Sequence, residues 1–158
     1  MKEEFPPLLP PGLHTLTLDR LQRLCVSRFE DGARRAAIFA GVERLYATLA
    51  GGGAVGDLWL DGSFLTEKRN PDDCDTAFRV ERSALDRYSD EQKLILIWLT
   101  GNRDEIKRDF LCVTYPFIDY HIGDRYYGDS DLHLRSYWAG WFGCSRRGEL
   151  KGIAVLRL

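Results

Sequence analysis

Leu18, Leu21, Leu24 and Cys25 recur at helical spacing behind Thr17. That spacing predicts a helix over Leu18–Phe29 with Thr17 as its N-cap. A second apolar stripe, Ile38, Val42, Leu45, Tyr46 and Leu49, predicts a helix capped by Asp31 and ended by Gly51-Gly52-Gly53. The period then switches from helical to alternating. Leu58-Trp59-Leu60 reads as a short buried strand that ends at Asp61-Gly62-Ser63. A polar loop from Thr66 to Asp72, broken by Pro71, separates it from a second strand. There Cys74, Thr76, Phe78 and Val80 alternate with Asp73, Asp75, Ala77 and Arg79, the pattern of a strand antiparallel to the first.

Further along, a helix is predicted from about Asp90 to Leu99, stopped by Gly101-Asn102, with a shorter one over Arg103–Arg108. Leu111 to Val113 is strand-like and extends toward His121, with Pro116 marking an edge or a break. Gly123–Asp131 reads as loop. An aromatic stretch (Tyr137, Trp138, Trp141, Phe142), a basic turn (Arg146-Arg147-Gly148) and a last strand, Ile153–Leu158, complete the chain. Ahead of the first helix, the segment Phe5 to Gly12 holds four prolines, so residues 1–14 are expected to form an extended arm laid on the domain. The expected class is α+β: two leading helices, then a mixed sheet with helices.

A length of 158 residues fits a single domain over 1–158, large enough to fold without a disulfide or a structural metal. The net charge of −2 gives no bulk attraction to nucleic acid, although it permits a local basic patch. Cys25, Cys74, Cys112 and Cys144 are widely spaced with no Cys-x-x-Cys pair, which argues against a structural zinc site and for reduced thiols in a cytoplasmic setting. The start, Met1 to Pro7, is acidic and proline-broken and does not read as a signal peptide. The longest apolar run, Leu94–Leu99, is far below the roughly 20 residues a membrane helix needs.

The chemistry concentrates between Leu58 and Phe78. Gly62-Ser63 is followed by nine residues and then by Asp73-Cys74-Asp75. Residues two apart on a strand share a face, about 6.6 Å apart along it. Asp73 and Asp75 so placed suit divalent cations, which take oxygen ligands. Without a cation the two like charges repel, pushing at least one pKa upward. Gly62 lets backbone approach a phosphate, and Ser63 offers an amide and a hydroxyl. Read alone, the two acids also suit a solvated turn.

This stretch resembles the signature of the nucleotidyltransferase superfamily: strand, Gly-Ser, nine to thirteen residues, then acid–apolar–acid on the next strand. Asp61 departs from it, since an apolar residue is usual there. More widely, the chain resembles a family of short, largely uncharacterised bacterial proteins. The matching segments are Leu9-Pro10-Pro11-Gly12-Leu13-His14, Leu60 to Lys68, Pro71 to Asp75, and Trp138, Phe142, an arginine and Gly148 to Ile153.

The resemblance implies a nucleotidyltransferase-like fold with Mg²⁺ or Mn²⁺ held by Asp73, Asp75 and a third carboxylate from a later strand. Asp119 is the best candidate for that third acid, ahead of Asp109 and Asp124, with His121 beside it as a candidate base. Lys68, Arg146, Arg147 and Lys151 are candidate phosphate ligands, or else solvated surface charges. The aromatic stretch offers either base stacking or core packing.

The implied activity moves a nucleoside monophosphate from a nucleoside triphosphate to a hydroxyl on RNA or protein. By analogy with small bacterial relatives, it belongs in a toxin–antitoxin or phage-defence module. Two alternatives stand beside it: an inactive, antitoxin-like or regulatory protein-binding partner of the same fold, and a metal-dependent phosphate-ester hydrolase.

Overall fold

The computed structural model describes residues 3–129 and 134–158. These form five strands and six α-helices: β1 (Gly12–Thr15), α1 (Leu18–Gln22), α2 (Ala33–Gly51), β2 (Asp57–Asp61), β3 (Cys74–Glu81), α3 (Arg82–Leu85), α4 (Asp90–Gly101), α5 (Arg103–Phe110), β4 (Cys112–Asp119), α6 (Arg135–Gly143) and β5 (Gly152–Arg157). The strands make one mixed sheet in the order β1-β5-β2-β3-β4. The expected antiparallel pair is present as β2–β3, while β3–β4 and β1–β5 run parallel. The α+β class holds.

Alternation along the strands builds two apolar layers. Leu58, Leu60, Phe78, Val80, Ala154 and Leu156 join Leu21, Ile38, Val42, Leu45 and Ile106 of the helices on one face of the sheet. Trp59, Ala77, Phe117, Ile153 and Val155 point the other way and take Trp138 and Phe142 of α6. Burial on both faces is why β2 reads as an unbroken apolar run.

Two expectations need correction. The first helix does not continue to Phe29: α1 ends at Gln22 and passes into a π-helical turn over Arg23–Ser27. That turn leaves the Cys25 carbonyl free to accept from Arg35 Nη1 at 2.9 Å. Asp31 is not the cap of α2, which begins at Ala33 behind Gly32. The arm is extended and laid on the domain as expected, and its end, Gly12–Thr15, joins the sheet edge beside β5. The aromatic stretch, open between base stacking and core packing, is a helix, α6, whose Trp138 and Phe142 are core residues.

Other readings stand. Thr17 caps α1, its hydroxyl accepting from the Arg20 amide, and Pro116 sits inside β4 because β4 is an edge strand. α4 begins as expected, with Ser89 and Gln92 forming a reciprocal cap. The expected loop Gly123–Asp131 is turn and bend as far as Asp129, and its last two residues lie outside the described residues.

Candidate functional site

β2 and β3 meet so that Asp61 lies directly opposite Asp75. Directly paired residues of an antiparallel ladder share a face with their Cβ atoms about 4.5–5.5 Å apart. Asp73 precedes β3 by one residue, at the same open end of the sheet. After Asp61 the chain turns through Gly62, at φ 80°, into a 3₁₀ turn over Ser63–Leu65. Only glycine suits this bend: a Cβ there would lie 2.2 Å from Asp75 Oδ2, and the positive φ disfavours any side chain. The backbone at Gly62 therefore packs directly against the Asp75 carboxylate.

Three acids and two lysines set the electrostatics. Lys107 of α5 approaches Asp73 Oδ2 at 2.8 Å, and Lys151 Nζ donates to Asp61 Oδ2 at 2.7 Å. Asp61 is 5% exposed, and its second oxygen, Oδ1, has no hydrogen-bond partner. Burial pushes the Asp61 carboxyl up, against the charge and hydrogen bond of Lys151 and the Gly62 amide. Asp75, half-buried, is pushed up to about 6, first by desolvation and then by the charges of Asp73 and Asp61. The upward push expected from paired acids is present, with burial as its larger cause.

A polar buried guanidinium holds the loop behind the bend. Arg35 of α2 is fully buried and donates to the carbonyls of Phe64 (2.8 Å), Thr66 and Lys68 (2.6 Å) as well as Cys25. It also lies 3.7 Å from the Phe29 ring centroid. Arg34 next to it donates to the carbonyls of Pro71 (3.2 Å) and Asp72. One turn of α2 thus grips both halves of the segment between Ser63 and Asp73.

The remaining candidates separate. Asp119 is not at this end of the sheet. Val113 faces Asp75 across β3–β4, and Asp119 lies six residues further on, opposite Glu81, about 20 Å away at 3.3 Å per residue. It takes the Arg79 guanidinium at 2.7 Å, in a cluster with Asp57 and Glu81. His121 follows Asp119 in the chain and exerts its charge on Glu81, so it belongs to that end too. Asp109 pairs with Arg108, and Asp124 lies 3.8 Å from Arg82.

Lys68 pairs with Asp72 at 3.2 Å. The Arg146 amide donates to Glu4 Oε1 at 2.8 Å, and Arg147 lies 3.7 Å from the same carboxylate. The turn therefore pins the arm through the Arg146 amide and the Arg147 side chain. Lys151, at the base of the turn, pairs with Asp61. Burial drives the Cys25 and Cys112 thiols up to about 12 and Cys74 well above its ordinary value, which leaves them unreactive.

Sequence reasoning missed Asp61, Lys107 and Arg35 as parts of the site. Asp61 carried a signal, an acid ending an apolar strand beside glycine; Lys107 and Arg35 carried none. As they stand, no three carboxylate, thiol or imidazole side chains among the described residues converge tightly enough to hold a metal ion. The donor chemistry nonetheless fits a divalent cation. Three carboxylates meet only two lysines, and one buried carboxylate oxygen lacks any partner.

No helix among the described residues is long and apolar enough to cross a membrane. Neither the curated proteins nor the solved structures contain a match to the chain. A family model does match it, over residues 3–157, and the chain belongs to that family, DUF6932, a family of unknown function.

Proposed function

We propose that this member of the DUF6932 family is a minimal nucleotidyltransferase-like domain. With Mg²⁺ or Mn²⁺ it would move a nucleoside monophosphate from a nucleoside triphosphate to a hydroxyl on RNA or protein. One observation carries the reading: the bend at Gly62 lies so close to Asp75 that a Cβ on Gly62 would be 2.2 Å from the carboxylate.

Asp73 and Asp75 are the residues that hold the cation, and their excess negative charge favours it. When bound, a divalent cation supplies neutralisation of the phosphate oxygens. Ser63 presents its amide and hydroxyl to the phosphate chain, and Gly62 allows the backbone to come close. In the transfer the acceptor oxygen bonds to the α-phosphorus. The bond from that phosphorus to the α,β-bridging oxygen breaks, pyrophosphate departs, and the hydroxyl proton passes to a site carboxylate. Lys68 pairs with Asp72 and Arg147 lies near Glu4, so as phosphate ligands they would have to leave those carboxylates.

Calorimetric titration with Mg²⁺ and ATP tests this on the wild type and on Asp73→Asn with Asp75→Asn. Loss of binding in the double variant supports the assignment, and unchanged binding sinks it. A second reading, a non-catalytic protein-binding partner of the same fold, draws on Lys107 and Lys151 already neutralising two of the acids. It predicts no cation-dependent nucleotide binding in the wild type and co-purification with another protein.

A further inference from the structure

Asp61 ends an apolar strand, where an apolar side chain would be the natural continuation of Leu58-Trp59-Leu60. Its carboxylate is nevertheless almost wholly buried, 5% exposed. A buried carboxylate kept only as half of an ion pair should have both oxygens satisfied, because each unsatisfied one carries a desolvation cost. Here Oδ2 takes Lys151, and Oδ1 has no hydrogen-bond partner among the described residues, with the Gly62 amide a backbone donor near the carboxyl. That open oxygen belongs to the residue directly across the ladder from Asp75, on the same face, at the end of the sheet where Asp73 enters.

We propose that Asp61 is the third carboxylate of the cation site, completing Asp73 and Asp75, and that Lys151 is its resident counter-ion, displaced when a divalent cation enters. The inference rests on the reading of Asp73 and Asp75 as cation ligands given above. It replaces the acid expected from a later strand. β4 puts Val113 opposite Asp75 and carries Asp119 to the other end of the sheet, where Arg79 holds it. β2 supplies the acid instead.

Lys151 suits the exchange. It precedes β5, at the base of the turn that the Cys144–Leu150 bridge closes, and its side chain is 15% exposed, so its ammonium has a route to solvent. Lys107, the counter-ion of Asp73, is more exposed still, at 57%. Both lysines occupy the acids as monovalent cations that a divalent ion outcompetes by charge.

The test is a titration of the full chain with Mn²⁺ alone at neutral pH, read by calorimetry and by the loss of free Mn²⁺ signal in electron paramagnetic resonance. Asp61→Asn should weaken Mn²⁺ by at least the factor of about 10 seen when a partner behind a metal ligand is removed. Lys151→Met should tighten Mn²⁺, since it removes the competing ammonium. It should also lower the unfolding temperature without metal and recover it with Mn²⁺.

If Asp61→Asn does not fold, Lys151→Met decides. Wild-type affinity in a folded Asp61→Asn variant, or no gain in Lys151→Met, overturns the proposal. Failure of the underlying reading looks different: Asp75→Asn would then bind Mn²⁺ like the wild type, whatever Asp61 does.

Discussion

Folding opposes the ionisation of Asp75. Burial, followed by the charges of Asp73 and Asp61, lifts its carboxyl from 3.8 to about 6. A carboxyl raised in the folded state stabilises the fold fully below its unfolded pKa, and that contribution disappears as pH rises through the folded value. The interval corresponds to roughly 3 kcal/mol lost by neutral pH. Asp75→Asn carries no charge at any pH. In chelator-treated protein its stability relative to wild type should therefore climb by up to about 3 kcal/mol between about pH 4 and pH 7. Denaturant unfolding at both pH values measures the gap, and a gap independent of pH would mean that the carboxyl is unperturbed.

Between Ser63 and Asp73 the chain has little regular structure beyond one 3₁₀ turn, and α2 shapes it from outside. Arg35 satisfies the carbonyls of Phe64, Thr66 and Lys68 without an acid partner, and Arg34 takes those of Pro71 and Asp72. Arg35→Lys keeps the charge but loses the planar fork that serves several carbonyls at once. It should cost roughly 2–4 kcal/mol, the worth of one or two charged hydrogen bonds to buried carbonyls. Hydrogen exchange separates the local effect from global loosening. Amides of residues 64–68 should exchange faster while those of α4 keep their protection, and uniform acceleration would count against a clamp. This clamp also explains the first helix. A period of 3.6 predicts its continuation to Phe29, but the Cys25 carbonyl is drawn out of the helix toward Arg35.

Across the whole molecule, one face of the sheet carries charge at both ends with aromatic packing between. The acids and lysines gather where β2 ends and β3 begins. Arg79, Asp57, Glu81 and Asp119 gather at the far end, and Trp59, Phe117, Trp138 and Phe142 fill the middle. Trp138 stacks on Phe117 at 5.3 Å and meets Phe142 edge-on at 5.9 Å, so these rings hold α6 to the sheet. Asp119→Asn should therefore act as a stability mutation. It leaves Arg79 with Asp57 and Glu81, costs about 1–3 kcal/mol, and leaves Mn²⁺ affinity unchanged. Weaker Mn²⁺ binding in that variant would place Asp119 in the site after all.

What the residues alone determined is what neighbours in the chain decide: the helical and alternating periods, the Thr17 cap, the glycine bend, and two acids at the entrance of a strand antiparallel to the one before. Those follow from backbone sterics and from side chains within a few positions of each other. The site's remaining parts join residues far apart in the chain. Asp61 meets Lys151 across 90 residues, Arg35 reaches the loop across about 30, and Asp119 finds Arg79 across 40. No periodicity encodes such meetings, because they depend on which strand lies beside which and in what register. The sheet order therefore decided that the residue facing Asp75 from β2 is an acid, Asp61, while β4 sets Val113 beside it.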